Sequence, residues 1–198
     1  MHMKKGERRK QELLRIAYKQ FLQKGYEETS VDDIIAEAGI AKGTYYYYFE
    51  TKEQMLEEVI GMMIGQETEA ARQIVQAQLP VHQKIAGIIA SLRPSREEEP
   101  IEGALMRPEN SMMHRRVRSR LVEIVVPLLS QVVEEGIRQG VFACDNIPER
   151  VRMLLTVSSE TFDEGRFTDR DVAVFVDMTE KLLGARAGTM GFIRELIR

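Results

Sequence analysis

Apolar residues near the start of the chain recur at the three- and four-residue intervals of an amphipathic helix. They are Leu13, Leu14, Ala17, Phe21 and Leu22. The pattern stops at Gly25, so we predict a first helix over about residues 7–24. The segment that follows, TSVDDIIAEAG, predicts a second helix of about nine residues. Ser30 can cap it by accepting a hydrogen bond from the backbone N–H of Asp33, and Gly39 can end it in the left-handed conformation.

The next stretch, AKGTYYYYFETKE from Ala41 to Glu53, contains four consecutive tyrosines. Taken alone, its aromatic residues and threonines favour a β-strand. No second strand-like run lies nearby to pair with it, and an unpaired strand would leave backbone groups unsatisfied, so we predict a third helix instead. In that helix Tyr45, Tyr48 and Phe49 share one face. Only GIA separates it from the second helix, and two short helices joined by a tight turn form a helix-turn-helix unit.

Helical patterns continue to the end of the chain, without a convincing run of strand-like alternation. The predicted ranges are about 52–77, 81–92, 115–139, one from a cap at Asp145 or Asn146 to Gly165, and one beginning near Asp169. The segment RPSREEEP, Arg93 to Pro100, is predicted as a polar loop. We therefore predict an all-α fold of about nine helices. It divides into a three-helix helix-turn-helix head over residues 4–51 and a helical body over residues 52–198.

Composition narrows the class of protein. The chain has 198 residues, of which 43% are hydrophobic and 30% charged, as expected for a globular protein. Residues 1–52 hold ten Lys or Arg against eight Asp or Glu, whereas residues 53–198 hold 18 against 23, so a nucleic-acid-binding head on an acidic body is permitted. The lone Cys144 excludes an intrachain disulfide and fits a reducing cytoplasm. No apolar run reaches membrane-spanning length.

Motifs for catalysis or cofactor binding are missing from the sequence. His82 and His114 have no partner motif, Cys144 has no histidine close to it in sequence, and neither a Gly-rich phosphate loop nor metal-ligand spacing occurs. Packing or surface roles explain these residues better. We therefore expect no enzyme activity, no cofactor and no metal.

The run from Ser30 to Glu53, SVDDIIAEAGIAKGTYYYYFETKE, closely resembles the DNA-binding signature of TetR-family transcriptional regulators. Its glycines, lysines and aromatic residues all fall in the register of that signature. Two positions differ. Ala41 stands where a serine is common, which removes one phosphate donor. Tyr45 stands where leucine is usual, so its hydroxyl must reach water or a partner from a nominally buried position.

The resemblance implies that the third helix enters the major groove of DNA. Thr44 and Tyr47 would then read base edges, while Tyr46 and Tyr48 would hold phosphates, although Tyr48 also shares the inward face. Gly43 would let the backbone approach the DNA closely. The full set of implied DNA contacts is Ser30, Lys42, Gly43, Thr44, Tyr46, Tyr47, Tyr48 and Lys52.

For the body, the resemblance implies ligand binding and dimerisation. Methionines line adaptable apolar pockets but also simply fill cores, and both readings stay open here. The candidate pocket residues are Met62, Met106, Met113, Met153 and Phe162. Apolar stripes in the last two helices predict a four-helix dimer interface. Its candidate residues are Val151, Leu155, Phe162, Phe175, Thr179 and Leu182. A two-fold dimer would read a pseudo-palindromic operator.

Together these inferences predict a sequence-specific DNA-binding repressor. It would act as a homodimer in the cytoplasm, associated with the nucleoid when bound to double-stranded DNA. By resemblance, an unidentified small apolar or amphipathic effector binds the body and lowers the affinity for DNA. The alternative is a DNA-binding regulator that is controlled by a protein partner or is not ligand-controlled.

Overall fold

The computed structural model describes residues 5–162 and 165–197, and all regular structure within these ranges is helical. The all-α fold class is therefore confirmed. The helices are α1 (Lys5–Lys24), α2 (Val31–Ala38), α3 (Lys42–Tyr48), α4 (Lys52–Gln76), α5 (Val81–Ser91), α6 (Glu99–Leu105), α7 (Ser111–Arg138), α8 (Ile147–Phe162), α9 (Asp169–Leu183) and α10 (Ile193–Ile197). Residue 4, where the predicted head begins, lies outside the described residues.

Helix α2 begins and ends where its sequence predicts. The Ser30 hydroxyl accepts a hydrogen bond from the Asp33 N–H at 3.0 Å, and the Asp33 carboxylate accepts one from the Ser30 N–H at 2.9 Å. These bonds satisfy two backbone donors reciprocally, and hydrogen bonds from Ser30 hold the pKa of the Asp33 carboxyl below its usual range. At the other end Gly39 takes the left-handed conformation, with φ of 60°.

The tyrosine run is helical, so the choice of a helix over a strand is confirmed. Tyr45 and Phe49 are completely buried, with ring centroids 5.7 Å apart. The Tyr45 hydroxyl has no hydrogen-bond partner among the described residues. Burial raises the pKa of Tyr45 to about 12, because the charged phenolate loses its hydration.

The chain divides into two compact units, and both are built from two separate segments. The first unit comprises the residues through Gly65 together with Pro94–Val117. Helix α6 packs against α1 within this unit, and Tyr18 of α1 donates a hydrogen bond to Glu98 at 2.9 Å. The compact unit is thus larger than the predicted head of residues 4–51, because a distant segment completes it.

The second unit comprises Gln66–Arg93 and Arg118–Arg198. Its core consists mainly of aliphatic side chains, most of them from α5, α7, α8, α9 and α10, with Val132 of α7 and Ile88 of α5 completely buried. Among its described residues this unit buries two charged side chains, Lys84 and Glu180. Lys84 is only 4% exposed, and its Nζ contacts Glu135 Oε2 at 2.6 Å and the Val75 carbonyl at 2.9 Å. These contacts offset part of the cost of burying an ammonium group.

Three predictions about helix boundaries were wrong. The segment RPSREEEP is not an open loop: it forms a 3₁₀ turn over Arg96–Glu98 and continues directly into α6. Ser95 and Glu98 form a reciprocal cap and Pro100 occupies the first turn, so a polar sequence still starts a helix. Helix α7 begins at Ser111, four residues before the predicted start. The five-residue α10 was not predicted.

Candidate nucleic-acid interface

Helix α3 presents two large aromatic side chains to solvent. Tyr47 is 81% exposed and Tyr46 is 48% exposed, whereas Tyr48 is half-buried. The Tyr47 ring stacks edge-on against Tyr48 with centroids 4.9 Å apart, and Tyr46 does the same against buried Tyr45 at 5.3 Å. Each exposed ring is therefore held by a ring of the helix itself. Exposed aromatic rings of this size are typical of a surface that contacts a partner.

Two lysines flank this aromatic face. Lys42 Nζ lies 3.1 Å from Asp32 Oδ1 on the preceding helix, and hydrogen bonding to that carboxylate raises the pKa of Lys42. Lys52 Nζ lies 4.2 Å from the centroid of the Tyr26 ring and donates a hydrogen bond to the Glu27 carbonyl at 3.2 Å. A cation held against a ring face and a carbonyl loses much of its freedom before binding anything else. Its contacts with Tyr26 and Glu27 thus hold the Lys52 ammonium in position, whereas the Lys42 ammonium forms an ion pair with the Asp32 carboxylate.

The remaining candidates for DNA contact differ in their surroundings. Gly43 is exposed, and a methyl group added to it would meet no heavy atom within 4 Å. Thr44 is half-buried. The Ser30 hydroxyl is already engaged in capping α2 and also donates to the Asp33 carboxylate at 2.7 Å. Gly43 and Thr44 therefore lie on α3 with the tyrosines, whereas the Ser30 hydroxyl caps α2.

Two cations near α3 were missed by sequence reasoning. The first turns of α1 and Tyr48 line one shallow depression, which contains Lys5 and Arg8. Gly6 lies close to this tyrosine, since a Cβ on it would be 3.7 Å from the Tyr48 hydroxyl oxygen. Both cations are exposed, and neither forms an ion pair within the described residues. The basic run KKGERRK is visible in the sequence. Its position beside Tyr48 is not, because that position depends on tertiary packing.

The second unit contains an apolar cavity of about 270 Å³. Its lining comes from α5, α7, α8, α9 and α10, and includes Ile85, Leu129, Leu154, Phe175 and Ile193. Arg93, Ser158 and Thr179 add polar groups to this lining. A largely apolar cavity with a few polar groups is the usual form of a small-molecule site.

Of the five candidate pocket residues, only Phe162 lines this cavity. Met153 is 59% exposed on α8. Met62, Met106 and Met113 belong to the first unit. The methionines were proposed because they adapt to irregular cavities, but the walls are built mainly from Ile, Leu, Val and Phe. Composition alone does not show which way a side chain points.

The candidate dimer residues face inward within the subunit. Five of the six line the same cavity, namely Val151, Leu155, Phe162, Phe175 and Thr179. Leu182 is half-buried against the core of the second unit. The apolar stripes of α8 and α9 therefore pack inside the subunit. The exposed apolar residues on the outer faces of these helices are Met153, Val157 and Val174.

Metal binding, membrane crossing and thiol chemistry were the other properties to consider for the described residues. They contain no group of three His, Cys, Asp or Glu side chains arranged to hold a metal ion. Within residues 5–162 and 165–197, none of the helices combines the length and the apolar character needed to cross a membrane. Cys144 is a half-buried free thiol, and burial raises its pKa.

The capped α2, the tight turn and the exposed aromatic face of α3 define a helix-turn-helix DNA-binding protein. Comparison with known proteins agrees with this class. Residues 13–59 match the model for bacterial regulatory proteins of the tetR family. These residues include α2, α3 and the start of α4, so this part of the chain is similar to the DNA-binding domain of TetR-family transcriptional regulators.

Individual relatives agree with this assignment. The chain is 46% identical over 52 residues to the HTH-type transcriptional repressor KstR2 of Mycolicibacterium smegmatis, an alignment that covers 26% of this chain and 25% of KstR2. It is 23% identical over 141 residues to the HTH-type transcriptional regulator YhgD of Bacillus subtilis, covering 69% and 74% of the two chains. The crystal structure of RolR in complex with resorcinol shares the fold, with a TM-score of 0.66, 19% identity and coverage of 98% and 94%.

Proposed function

We propose that this regulator is a repressor that binds a pseudo-palindromic operator as a homodimer and is released by a small apolar or amphipathic ligand. The observation that carries the DNA-binding part is the exposed aromatic face of α3, where Tyr47 is 81% exposed beside two lysines. Apart from its edge-on contact with Tyr48, this ring leaves most of its surface in solvent. Contact with the major groove covers that surface.

On this proposal the residues of the face divide into two groups. Tyr47 and Thr44 read base edges, because their rings, methyl groups and hydroxyls match the groups that bases present in the major groove. Tyr46, Tyr48, Lys42 and Lys52 contact phosphates, which fixes the register of the protein on DNA. Lys5 and Arg8 extend the phosphate-binding surface along the first turn of α1, and Ser30 supports it by capping α2.

The cavity of the second unit supports ligand control. Its lining includes Arg93, and the next residue, Pro94, begins the segment that completes the first unit. A ligand that repositions Arg93 therefore acts on the chain at the point where it enters the DNA-binding unit. Such a ligand lowers DNA affinity only if it binds the released and DNA-bound states unequally. RolR, which has the same fold, was crystallised with the small molecule resorcinol.

The test of the DNA contacts begins with selection of an operator from random-sequence DNA. Binding to the selected duplex is then followed by fluorescence anisotropy over a range of salt concentrations. We expect the double variant Tyr46→Phe, Lys52→Ala to bind at least about tenfold more weakly, since it loses a phosphate hydrogen bond and a phosphate charge. The slope of log affinity against log salt should fall by about one because one cation is removed.

Circular dichroism of the same variant shows whether the fold survives the loss of the contact between Lys52 and Tyr26. The substitution Arg72→Ala serves as the control, because Arg72 is an exposed cation on α4 within the second unit. Its operator affinity should match that of the wild type. An unchanged affinity and salt slope in the folded double variant would contradict the assignment of α3 to DNA.

A further inference from the structure

We propose that the cavity of the second unit binds a single-chain carboxylate, with the apolar chain inside and the carboxylate held by Arg93. This inference rests on the proposed role of the cavity as the ligand site and adds the chemical class of the ligand. Three features support it: the nature of the walls, the state of Arg93 and the volume of the cavity.

The walls select an apolar body for the ligand. The lining is mostly apolar, with Leu129, Leu155 and Phe175 contributed by three different helices. The Thr179 hydroxyl is already committed, since it donates to the Phe175 carbonyl at 2.8 Å within α9. A polar or charged ligand body would lose its hydration here with only the Ser158 hydroxyl and Arg93 to compensate it. Each methylene buried against these walls instead strengthens binding by about fourfold.

Arg93 selects the charge of the ligand. It is the only charged side chain among the described residues that line the cavity. It is also exposed and forms no ion pair with the described residues. A guanidinium presents parallel N–H donors that match a carboxylate. An unpaired guanidinium at an apolar cavity therefore favours a ligand whose own carboxylate completes the pair.

The positions along α5 suggest how such a ligand lies. Ile85 and Ile89 line the cavity one turn apart, and Arg93 follows one turn later, just beyond the end of the helix at Ser91. A chain that runs along the two isoleucines thus ends with its carboxylate near Arg93. Because Arg93 is exposed, the charged head stays partly hydrated and pays only part of the cost of burial.

The volume sets the length of the chain. About 270 Å³ lies at the small end of the usual range for ligand cavities and equals the liquid volume of about nine water molecules. A methylene group occupies roughly the volume of one water molecule, so a chain of about eight to ten carbon atoms fits. A single flexible chain fills such a space.

The test uses isothermal titration calorimetry with sodium decanoate below its micelle concentration. The probes 1-decanol and hexanoate serve as the uncharged and the shortened comparisons. We expect the wild-type protein to bind decanoate about tenfold more tightly than 1-decanol, because hydrogen bonds to a charged group are lost with the alcohol. Hexanoate should bind much more weakly than decanoate because it buries fewer methylenes.

Variants of the protein show whether the preference for decanoate arises in the cavity. Arg93→Gln should bring decanoate down to the affinity of 1-decanol while leaving the alcohol unaffected. Arg96→Gln, which changes an exposed arginine outside the cavity lining, should behave like the wild type. Leu155→Trp should fill the cavity and abolish binding of both probes. If Leu155→Trp does not fold, the comparison of the two arginine variants still decides the question.

Equal affinity of the wild-type protein for decanoate and 1-decanol would overturn the proposed carboxylate site, as would absence of binding by decanoate. Operator anisotropy in the presence of decanoate separates this inference from the proposed function. Decanoate that binds through Arg93 but leaves DNA affinity unchanged supports the carboxylate site and contradicts ligand control by it. Release of the operator by an uncharged compound, with no binding of decanoate, supports ligand control and overturns the carboxylate site.

Discussion

The four consecutive tyrosines of α3 occupy four different environments. Tyr45 is completely buried, Tyr48 is half-buried beside the first turn of α1, and Tyr46 and Tyr47 are exposed to increasing degrees. The same side chain therefore packs a core at one position and forms a contact surface at the next, depending only on its angle around the helix. Spacing alone predicted the burial of Tyr45. It did not predict that the Tyr45 hydroxyl would lack a hydrogen-bond partner in the described protein.

At the residue scale, a substitution at Gly43 should affect stability and DNA binding in different ways. A methyl group here meets no protein atom within 4 Å, and glycine is less favourable than alanine inside a helix by up to about 1 kcal/mol. Gly43→Ala should therefore leave the free energy of unfolding unchanged or raise it slightly. If the backbone at Gly43 approaches DNA closely, the same methyl group should weaken operator binding by about tenfold or more through lost phosphate contacts.

Urea denaturation and operator anisotropy measure the two quantities on the same protein. Gly103→Ala is the matched control, since Gly103 lies in helix α6 of the same unit and also has no heavy atom within 4 Å of an added methyl group. It should leave DNA affinity unchanged. Equal operator affinities for both variants and the wild type would show that the backbone at Gly43 does not approach DNA closely.

At the element scale, the ion pair between Lys84 of α5 and Glu135 of α7 joins two helices of the cavity wall. Lys84→Ala removes the buried stem and the pair, and should lower the free energy of unfolding by about 2 kcal/mol, mainly through the cavity that the stem leaves. Lys84→Met keeps the apolar stem and removes only the charge, so it should cost much less, because well-packed apolar groups often replace a buried pair without loss. Urea denaturation near neutral pH gives both values.

The same pair predicts how stability depends on pH. Hydrogen bonding to Lys84 holds the pKa of Glu135 below its usual range in the folded protein. The unfolded chain then binds more protons than the folded one in the acid range, so stability falls as pH decreases. This contribution is complete above the unfolded pKa and disappears as the pH falls through the folded one. Lys84→Met should therefore lose less stability than the wild type between about pH 6 and pH 3. Identical losses would argue that the pair contributes nothing.

The elements that the sequence predicts well are those with local signals. Ser30 and Gly39 mark both ends of α2, and the short turn after Gly39 leaves the tyrosine run no partner strand. Helix α6 was not predicted, and the segment leading into it, Arg93 to Pro100, was predicted as a loop because it lacks an apolar stripe, although Ser95 and Pro100 were visible in the sequence. The cavity could not be predicted in the same way. Its walls come from five helices, and their meeting depends on tertiary packing rather than on any local pattern.

At the scale of the whole molecule, the inward stripes of α8 and α9 change the proposed dimer interface. Val151, Phe175 and Thr179 are buried within the subunit, so a partner cannot reach them without opening it. Met153 and Val157 on α8 and Val174 on α9 are 59%, 40% and 66% exposed. We propose that these outer faces form the interface of the homodimer. Apolar side chains on two neighbouring helices suit a four-helix interface between subunits.

The double variant Met153→Glu, Val174→Glu should be a folded monomer, because two carboxylates in each subunit would be buried without partners in the dimer. Sedimentation equilibrium gives the mass, and circular dichroism confirms the helical fold. A monomer carries one recognition helix and cannot span two half-sites about 34 to 36 Å apart. Its affinity for the full operator should therefore drop to that for an isolated half-site.

Leu79→Glu is the matched control for this prediction, since Leu79 is 40% exposed but lies outside α8 and α9. It should remain dimeric and bind the full operator like the wild type. A Met153→Glu, Val174→Glu protein that still sediments as a dimer would place the interface on another face. Dissociation of both variants would instead show that added negative charge, rather than the position of these side chains, separates the subunits.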